Sequence, residues 1–247
     1  MGTIMATVFL WSVATSAPHG DALTLRPNEL DAVSADLRNP DPYSITVVGD
    51  STANNADEWG YRLADRIAST FKRTVIVHDW SIEQSGYNRE VTVGAPGRPL
   101  VDIWNGSASG KGPAYSIENW AKLSPEPAKL YLINHGHNVA DPSRLVDGVN
   151  TLARDAKAQN PLATVGIVLQ NPRMDSPERQ QSQQDGVDRL RSYVEHENIY
   201  GAAVIDVNRA YYRAGDVALL LREDRFHPNV RGSVVAADTI AARLDIS

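Results

Sequence analysis

The chain of 247 residues contains no cysteine, which excludes disulfides and thiolate metal sites. It also lacks a basic run, and its formal net charge is -6. Broad binding to a phosphate backbone needs concentrated Lys and Arg, so nucleic acid is not an expected partner. No stretch is apolar for long enough to span a bilayer. There is no internal repeat and no low-complexity tract. What remains is enough chain for one decorated α/β domain, or at most two small ones, with a core that needs no covalent staple.

The N-terminus is apolar from Ile4 to Val13, and small residues follow to Ala17. A secretory signal has part of this pattern, but no Lys or Arg precedes the apolar run. The alternative is a buried strand or anchoring arm over Thr3–Val13. Residues 18–43 are rich in Pro, Asp and Asn, with a short helical stretch around Asn28–Leu37, and read as a connector. Residues 1–42 are therefore expected to form an arm and connector, and residues 43–247 the main domain.

From Tyr43 onward, strand-like and helix-like patterns alternate. Strands are expected at Ser44–Val48, Thr74–Trp80, Ala128–Asn134, Ala163–Leu169 and Ala202–Val207. Helices are expected after Ser51, with Trp59, Leu63, Ile67 and Phe71 on one face, and at Ser143–Ala158, Pro177–Glu197 and Val230–Leu244. Ser81–Pro127 reads as a long loop with short helices near Leu100–Trp104 and Ile117–Leu123. Five strands alternating with helices predict a parallel sheet covered on both faces. In such a sheet the strand C-termini share one edge, and sites form there.

Four short motifs fall near that edge. Gly49-Asp50-Ser51 follows the first strand, and Ser85-Gly86 lies beyond the second. Gly136-His137-Asn138 follows the third, and Asp224-Arg225-Phe226-His227-Pro228 lies beyond the fifth. Ser51 is the candidate nucleophile, but its hydroxyl needs an adjacent base. His227 can take that proton near neutral pH and return it to a leaving alcohol. Asp224, three residues earlier, can orient the ring and stabilise its cation. The Asn138 amide and a backbone N–H at Gly86 can face a developing oxyanion. Each motif alone also reads as an ordinary turn or helix cap; their order and placement carry the argument.

The ordered set resembles the SGNH (GDSL-type) hydrolase family over roughly Tyr43 to the C-terminus. The resemblance implies a three-layer α/β/α sandwich with a five-stranded parallel sheet in flavodoxin-like order. It also implies a Ser51–His227–Asp224 triad, with the Ser51 N–H, Gly86 and Asn138 as the oxyanion hole and no cofactor. Three positions depart from the pattern. Thr52 replaces the commonest Leu, a variant similar to the pectin-acting acetylesterase branch. Val139 stands where the third motif usually has Asp, and the second motif lacks its usual upstream Asn.

The substrate expected from these features is an acetyl or other short acyl ester on a carbohydrate. Trp80, Tyr87, Trp104, Tyr115 and Trp120 are candidate sugar-stacking rings, each with core packing as the alternative. A short-chain lipid esterase or thioesterase is the enzymatic alternative. A metal enzyme using His135 and His137, with His78, Asp141 or His227, is a third reading. In a fourth, residues 1–42 attach the domain to a second copy or to a cell-surface or virion structure, outside the cell.

Overall fold

A computed structural model describes residues 30, 32–197 and 200–246. The expected arm over Thr3–Val13, and most of the connector, lie outside the described residues. Helix α1 (Ala32–Arg38) is followed by strand β1 (Tyr43–Gly49) and helix α2 (Trp59–Phe71). Strands β2 (Thr74–Ser81), β3 (Gly86–Val93) and β4 (Leu100–Asn105) come next, then short helices α3 (Pro113–Glu118) and α4 (Trp120–Leu123). The rest alternates: β5 (Leu130–Asn134), α5 (Pro142–Gln159), β6 (Thr164–Leu169), α6 (Pro177–His196), β7 (Ala203–Asp206), α7 (Val207–Arg213) and α8 (Val230–Arg243). Among the described residues, no helix is long and apolar enough to cross a membrane.

The sheet has seven strands in the order β3-β2-β4-β1-β5-β6-β7, two more than the sequence predicts. All neighbours pair in parallel except β2 and β3, which form an antiparallel edge pair. The expected order therefore needs correction as well, because β4 lies between β2 and β1. Both extra strands come from the segment that reads as loop. In β4, Val101, Ile103 and Asn105 are buried in alternation, so the stretch expected to be helical at Leu100–Trp104 is a strand. Six residues are too few for periodicity to separate the two forms. β3 exposes Asn88, Arg89 and Glu90, the polar composition that blunts a sheet edge and hides a strand from pattern reading.

Two apolar layers enclose the sheet. One packs α1, α2, α7 and α8 against it through Leu37, Leu63, Ile67, Tyr211 and Ile240. The other packs α5 and α6 through Leu145, Val149, Leu152, Leu190 and Val194. The first layer also contains Leu30 and Val33, both essentially unexposed. A division at residue 42 thus cuts through this layer. Arg73 fastens the same join from inside. Its guanidinium donates to the carbonyls of Asn39 (2.6 Å), Asp41 (2.6 Å) and Leu100 (2.8 Å).

Helix starts are capped by side chains. Asp141 and Ser176 accept from Ser143 N and Arg179 N, each with Pro at the first helical position. Asn229 accepts from Arg231 N and Gly232 N and opens α8 directly after the His227-Pro228 pair.

Candidate active site

Ser51 lies just past the end of β1, in a turn that reaches α2 only at Trp59. The helix is farther from the serine than a direct strand-to-helix turn implies. Gly49 is required by packing: a Cβ there would lie 2.9 Å from the Asn134 carbonyl oxygen and 3.1 Å from Ser107 Oγ.

The turn is fixed from below by a buried polar network. Asp50, wholly unexposed, accepts at Oδ1 from Thr52 N (3.1 Å), Thr52 Oγ1 (3.0 Å) and Gln170 Nε2 (2.9 Å). Its Oδ2 accepts from Asn138 Nδ2 at 3.3 Å. Thr52 Oγ1 also accepts from Asn134 Nδ2 at 2.9 Å. A leucine at position 52 would keep the backbone N–H bond to Asp50 but lose every bond made through the Thr52 hydroxyl. Thr52 is 2 % exposed and serves this network. The substrate hint drawn from it therefore has a local packing explanation.

Above the turn, His227 Nε2 lies 2.8 Å from Ser51 Oγ. Its Nδ1 lies 2.7 Å from Asp224 Oδ2. With Nδ1–H donating to the carboxylate, Nε2 is left to accept the serine proton. Asp224 Oδ1 accepts from the backbone N–H of Phe226 and of His227, both at 2.9 Å. Arg225 makes the required tight turn in the left-handed region, at φ 55°. Burial raises the Asp224 carboxyl, but the hydrogen bonds from the His227 ring and from these two N–H groups outweigh it. The net pKa is below the usual carboxylate value. The three expected triad residues are thus brought together.

Asn138 is brought to the same place. Its Nδ2 donates to Asp50 Oδ2 and to the Lys111 carbonyl, each at 3.3 Å, long bonds that leave the amide adjustable. Gly86 is not brought there. It opens the edge strand β3 opposite Ser81, with β2 and β4 between it and β1. The loop after β4 occupies that side of the Ser51 turn. Ala108 N donates to the Gly49 carbonyl at 3.0 Å, and Asn54 Nδ2 donates to Ser109 Oγ at 3.3 Å. Gly110 stands between Ser109 and Lys111 at φ +71°.

The other histidines of the metal reading, His78, His135 and His137, have separate commitments. His135 Nε2 lies 2.9 Å from Ser116 Oγ, and His137 Nε2 donates to the Asn171 carbonyl at 2.7 Å. Burial pushes His135 down to about 4 against the opposing pull of the Asp50 charge, and it also lowers His137. His78 lies between Asp102 (2.9 Å) and Glu90 (3.3 Å), and Asp141 caps α5. Among the described residues, no group of three or more His, Asp or Glu is placed to hold a metal.

The expected sugar-stacking rings pack on protein. Trp80 donates to Tyr115 OH at 2.9 Å, Tyr87 meets Trp80 and Trp104 edge-on, Trp104 stacks on His78, and Trp120 stacks on Tyr131. A cleft of about 560 Å³ opens beside Asn138, and its aromatic wall is Phe226. Arg173, Glu178, Arg179 and Ser182 also line it.

No family model matches the chain, and no curated protein matches it by sequence. Solved structures do match it. LAE5, an α/β hydrolase enzyme from the metagenome of Lake Arreo, Spain, is 15% identical with a TM-score of 0.61, over 85% of this chain and 98% of that one. A putative GDSL-like lipase from Parabacteroides merdae is 12% identical with a TM-score of 0.63, over 84% of this chain and 97% of that one. An Axe2 mutant, an acetyl-xylooligosaccharide esterase from Geobacillus Stearmophilus, is 12% identical with a TM-score of 0.58, over 82% and 94%. The sheet, its two helical layers and these matches give the chain the three-layer α/β/α fold of GDSL-type hydrolases.

Proposed function

We propose that this chain is a serine esterase that removes short acyl groups, in the first place acetyl, from a carbohydrate. The observation that carries the reading is the continuous hydrogen-bond line from Ser51 Oγ through His227 to Asp224, at 2.8 and 2.7 Å. Ser51 Oγ attacks the ester carbonyl while His227 Nε2 takes its proton. The oxyanion receives hydrogen bonds from the Ser51 N–H, the Asn138 amide and the Gly110 N–H. Gly110 takes the role first expected of Gly86, because its neighbours touch the nucleophile turn on one side and Asn138 on the other. The tetrahedral intermediate collapses, the C–O bond to the alcohol breaks, and His227 protonates the departing oxygen. Water then attacks the acyl-enzyme with His227 again as base, releasing the carboxylic acid and restoring Ser51.

The cleft supports a polar alcohol. Arg173, Glu178, Arg179 and Ser182 stand around it, and Phe226 offers a ring on one wall. Fatty chains gain little against such a surface. Two of the esterases whose solved structures share this fold act on acetylated saccharides: Axe2, an acetyl-xylooligosaccharide esterase, and CEX, a two-domain esterase active on acetylated mannans, of which this chain spans about half. The test is hydrolysis of acetylated oligosaccharides and of nitrophenyl esters of rising chain length, with Ser51→Ala as control. Acetyl esters are expected to turn over fastest. Ser51→Ala is expected to lower kcat by roughly 10^6-fold with its melting curve unchanged. Full activity in Ser51→Ala would exclude the triad, and a preference for long acyl chains or thioesters would exclude the carbohydrate substrate.

A further inference from the structure

We infer that Arg173 is a positioning residue that locks the base loop onto the oxyanion loop. The inference rests on the esterase reading above. Arg173 lies between β6 and α6, is 7 % exposed, and uses its guanidinium in three directions. Nη1 donates to the His137 carbonyl at 3.0 Å. The guanidinium carbon lies 4.4 Å from the Phe226 ring centroid. Nε and Nη2 both donate to the Asp175 carboxylate at 2.6 Å. His137 immediately precedes Asn138, and Phe226 immediately precedes His227. A single planar cation therefore bears on the neighbours of both the oxyanion donor and the base.

The surrounding bonds turn this contact into a strut. Met174 N donates to the Arg225 carbonyl at 2.8 Å, and Asn171 Nδ2 donates to the Phe226 carbonyl at 3.1 Å. The Phe226 ring is 4.2 Å from the His227 ring and 4.7 Å from that of His137. Arg173, Phe226 and His227 thus form a short run of contacts ending at the imidazole, whose plane is tilted 50° to the Phe226 ring. Asp175 anchors its far end. The hydrogen bonds from Arg173 hold that carboxyl well below the usual range, so the anchor stays charged in mild acid. Only arginine offers a fork for the carboxylate, a further N–H for the carbonyl and a flat face for the ring.

Arg173 also lines the cleft, so a substrate contact must be separated from positioning. Nitrophenyl acetate, too small to fill the cleft, serves as the probe. The full chain, Arg173→Met, Arg173→Lys, Asp175→Asn and Phe226→Leu are compared in kcat, KM and melting temperature. Labelling of Ser51 by a dialkyl nitrophenyl phosphate, which needs an aligned base, is measured in parallel. Displacement of a base by about 1 Å costs on the order of 100-fold, so Arg173→Met is expected to lose about 100-fold in kcat and in labelling rate, with KM nearly unchanged. Arg173→Lys is expected to recover only a small part. Phe226→Leu and Asp175→Asn are expected to lose about 10-fold each, since each removes one contact of the strut. If Arg173→Met does not fold, Phe226→Leu and Asp175→Asn decide: undiminished kcat in both overturns the inference. So does a loss confined to KM, or full rescue by lysine. If the wild type neither hydrolyses the ester nor takes the label, the esterase reading itself fails, a different result from an active wild type with an equally active Arg173→Met.

Discussion

The turn proposed to hold the nucleophile and the loop proposed to hold the base meet at Ser51 Oγ, yet they are built in opposite ways. The turn is held from inside. Asp50 is unexposed and accepts four hydrogen bonds, and Thr52, Asn134 and Gln170 close the network with almost no exposure. The base loop itself is open to solvent. The Asp224 side chain is 47 % exposed and that of His227 is 25 % exposed. Apart from the Asp224 bonds, the loop is fixed by Met174, Asn171 and Arg173 on one side and by the cap of α8 on the other. Buried polar groups cost most when one partner disappears, whereas exposed ones are compensated by water. Damage to the turn should therefore appear chiefly in stability, and damage to the base loop chiefly in rate.

Two carboxylates test this directly. Asp224→Asn removes the charge that steadies the imidazolium and favours the wrong ring tautomer. In a fully buried triad that change costs about 10^4-fold, and at this exposed position roughly 100- to 1,000-fold in kcat is expected, with only a small fall in the urea midpoint. Asp50→Ala leaves the Gln170 and Thr52 donors buried without their acceptor, and is expected to cost about 3 kcal/mol of folding free energy. Urea unfolding and steady-state kinetics on both variants decide the matter. A large stability loss in Asp224→Asn with a stable Asp50→Ala would reverse the assignment of inside and outside.

Acid separates the regions in a second way. His135 is buried beneath the turn and pushed down to about 4, while in the unfolded chain it titrates near 6.5. The unfolded state binds the proton first, so stability is fully present above the unfolded value and falls as pH drops toward the folded one. The expected loss is about 3 kcal/mol by pH 4, read from urea midpoints against pH. The depressed Asp224 has the same sign in a lower window: its contribution is present above the usual carboxylate value and lost as pH falls through the folded one. His135→Gln should flatten the upper part of the curve, and an unchanged slope would remove His135 as its source.

The proposed triad is legible in the sequence because each of its members lies in a short motif near a strand end, and strand ends of a parallel sheet share an edge. The end of β6 carries a motif of the same kind. Gln170-Asn171-Pro172-Arg173 follows that strand directly, and it supplies the residue under Asp50 and the clamp on Phe226. A signal was present there, but its partners lie far away in sequence: 120 residues separate Gln170 from Asp50. β3 and β4 were illegible for a different reason. One is polar at the sheet edge and the other is only six residues long, so neither shows a decisive period. Missing β4 moved the neighbour of β1 to the wrong strand, and the glycine assignment followed it to Gly86.

That error supplies the smallest and most selective comparison, between two glycines. A Cβ on Gly86 would meet only the Gln84 carbonyl oxygen, at 3.8 Å, and the backbone there lies outside the left-handed region. Gly86→Ala is expected to leave kcat and KM unchanged. Gly110 has open space around a Cβ but a φ of +71°, which an alanine adopts only at a cost of about 1–2 kcal/mol. In an exposed loop that strain is relieved by a shift of the backbone, which carries the N–H away from the oxyanion. A loss of one oxyanion donor costs about 100-fold or more, and partial misplacement in Gly110→Ala is expected to cost about 10-fold in kcat, with KM little changed. The pair is read with nitrophenyl acetate under identical conditions. Equal and full activity in both variants would leave the second donor unassigned to either loop, whereas a loss in Gly86→Ala alone would require the edge strand to reach across β2 and β4. With the pairing of Val77 to Ile103 and of Ile45 to Ile103 in place, that path is blocked by two full strands.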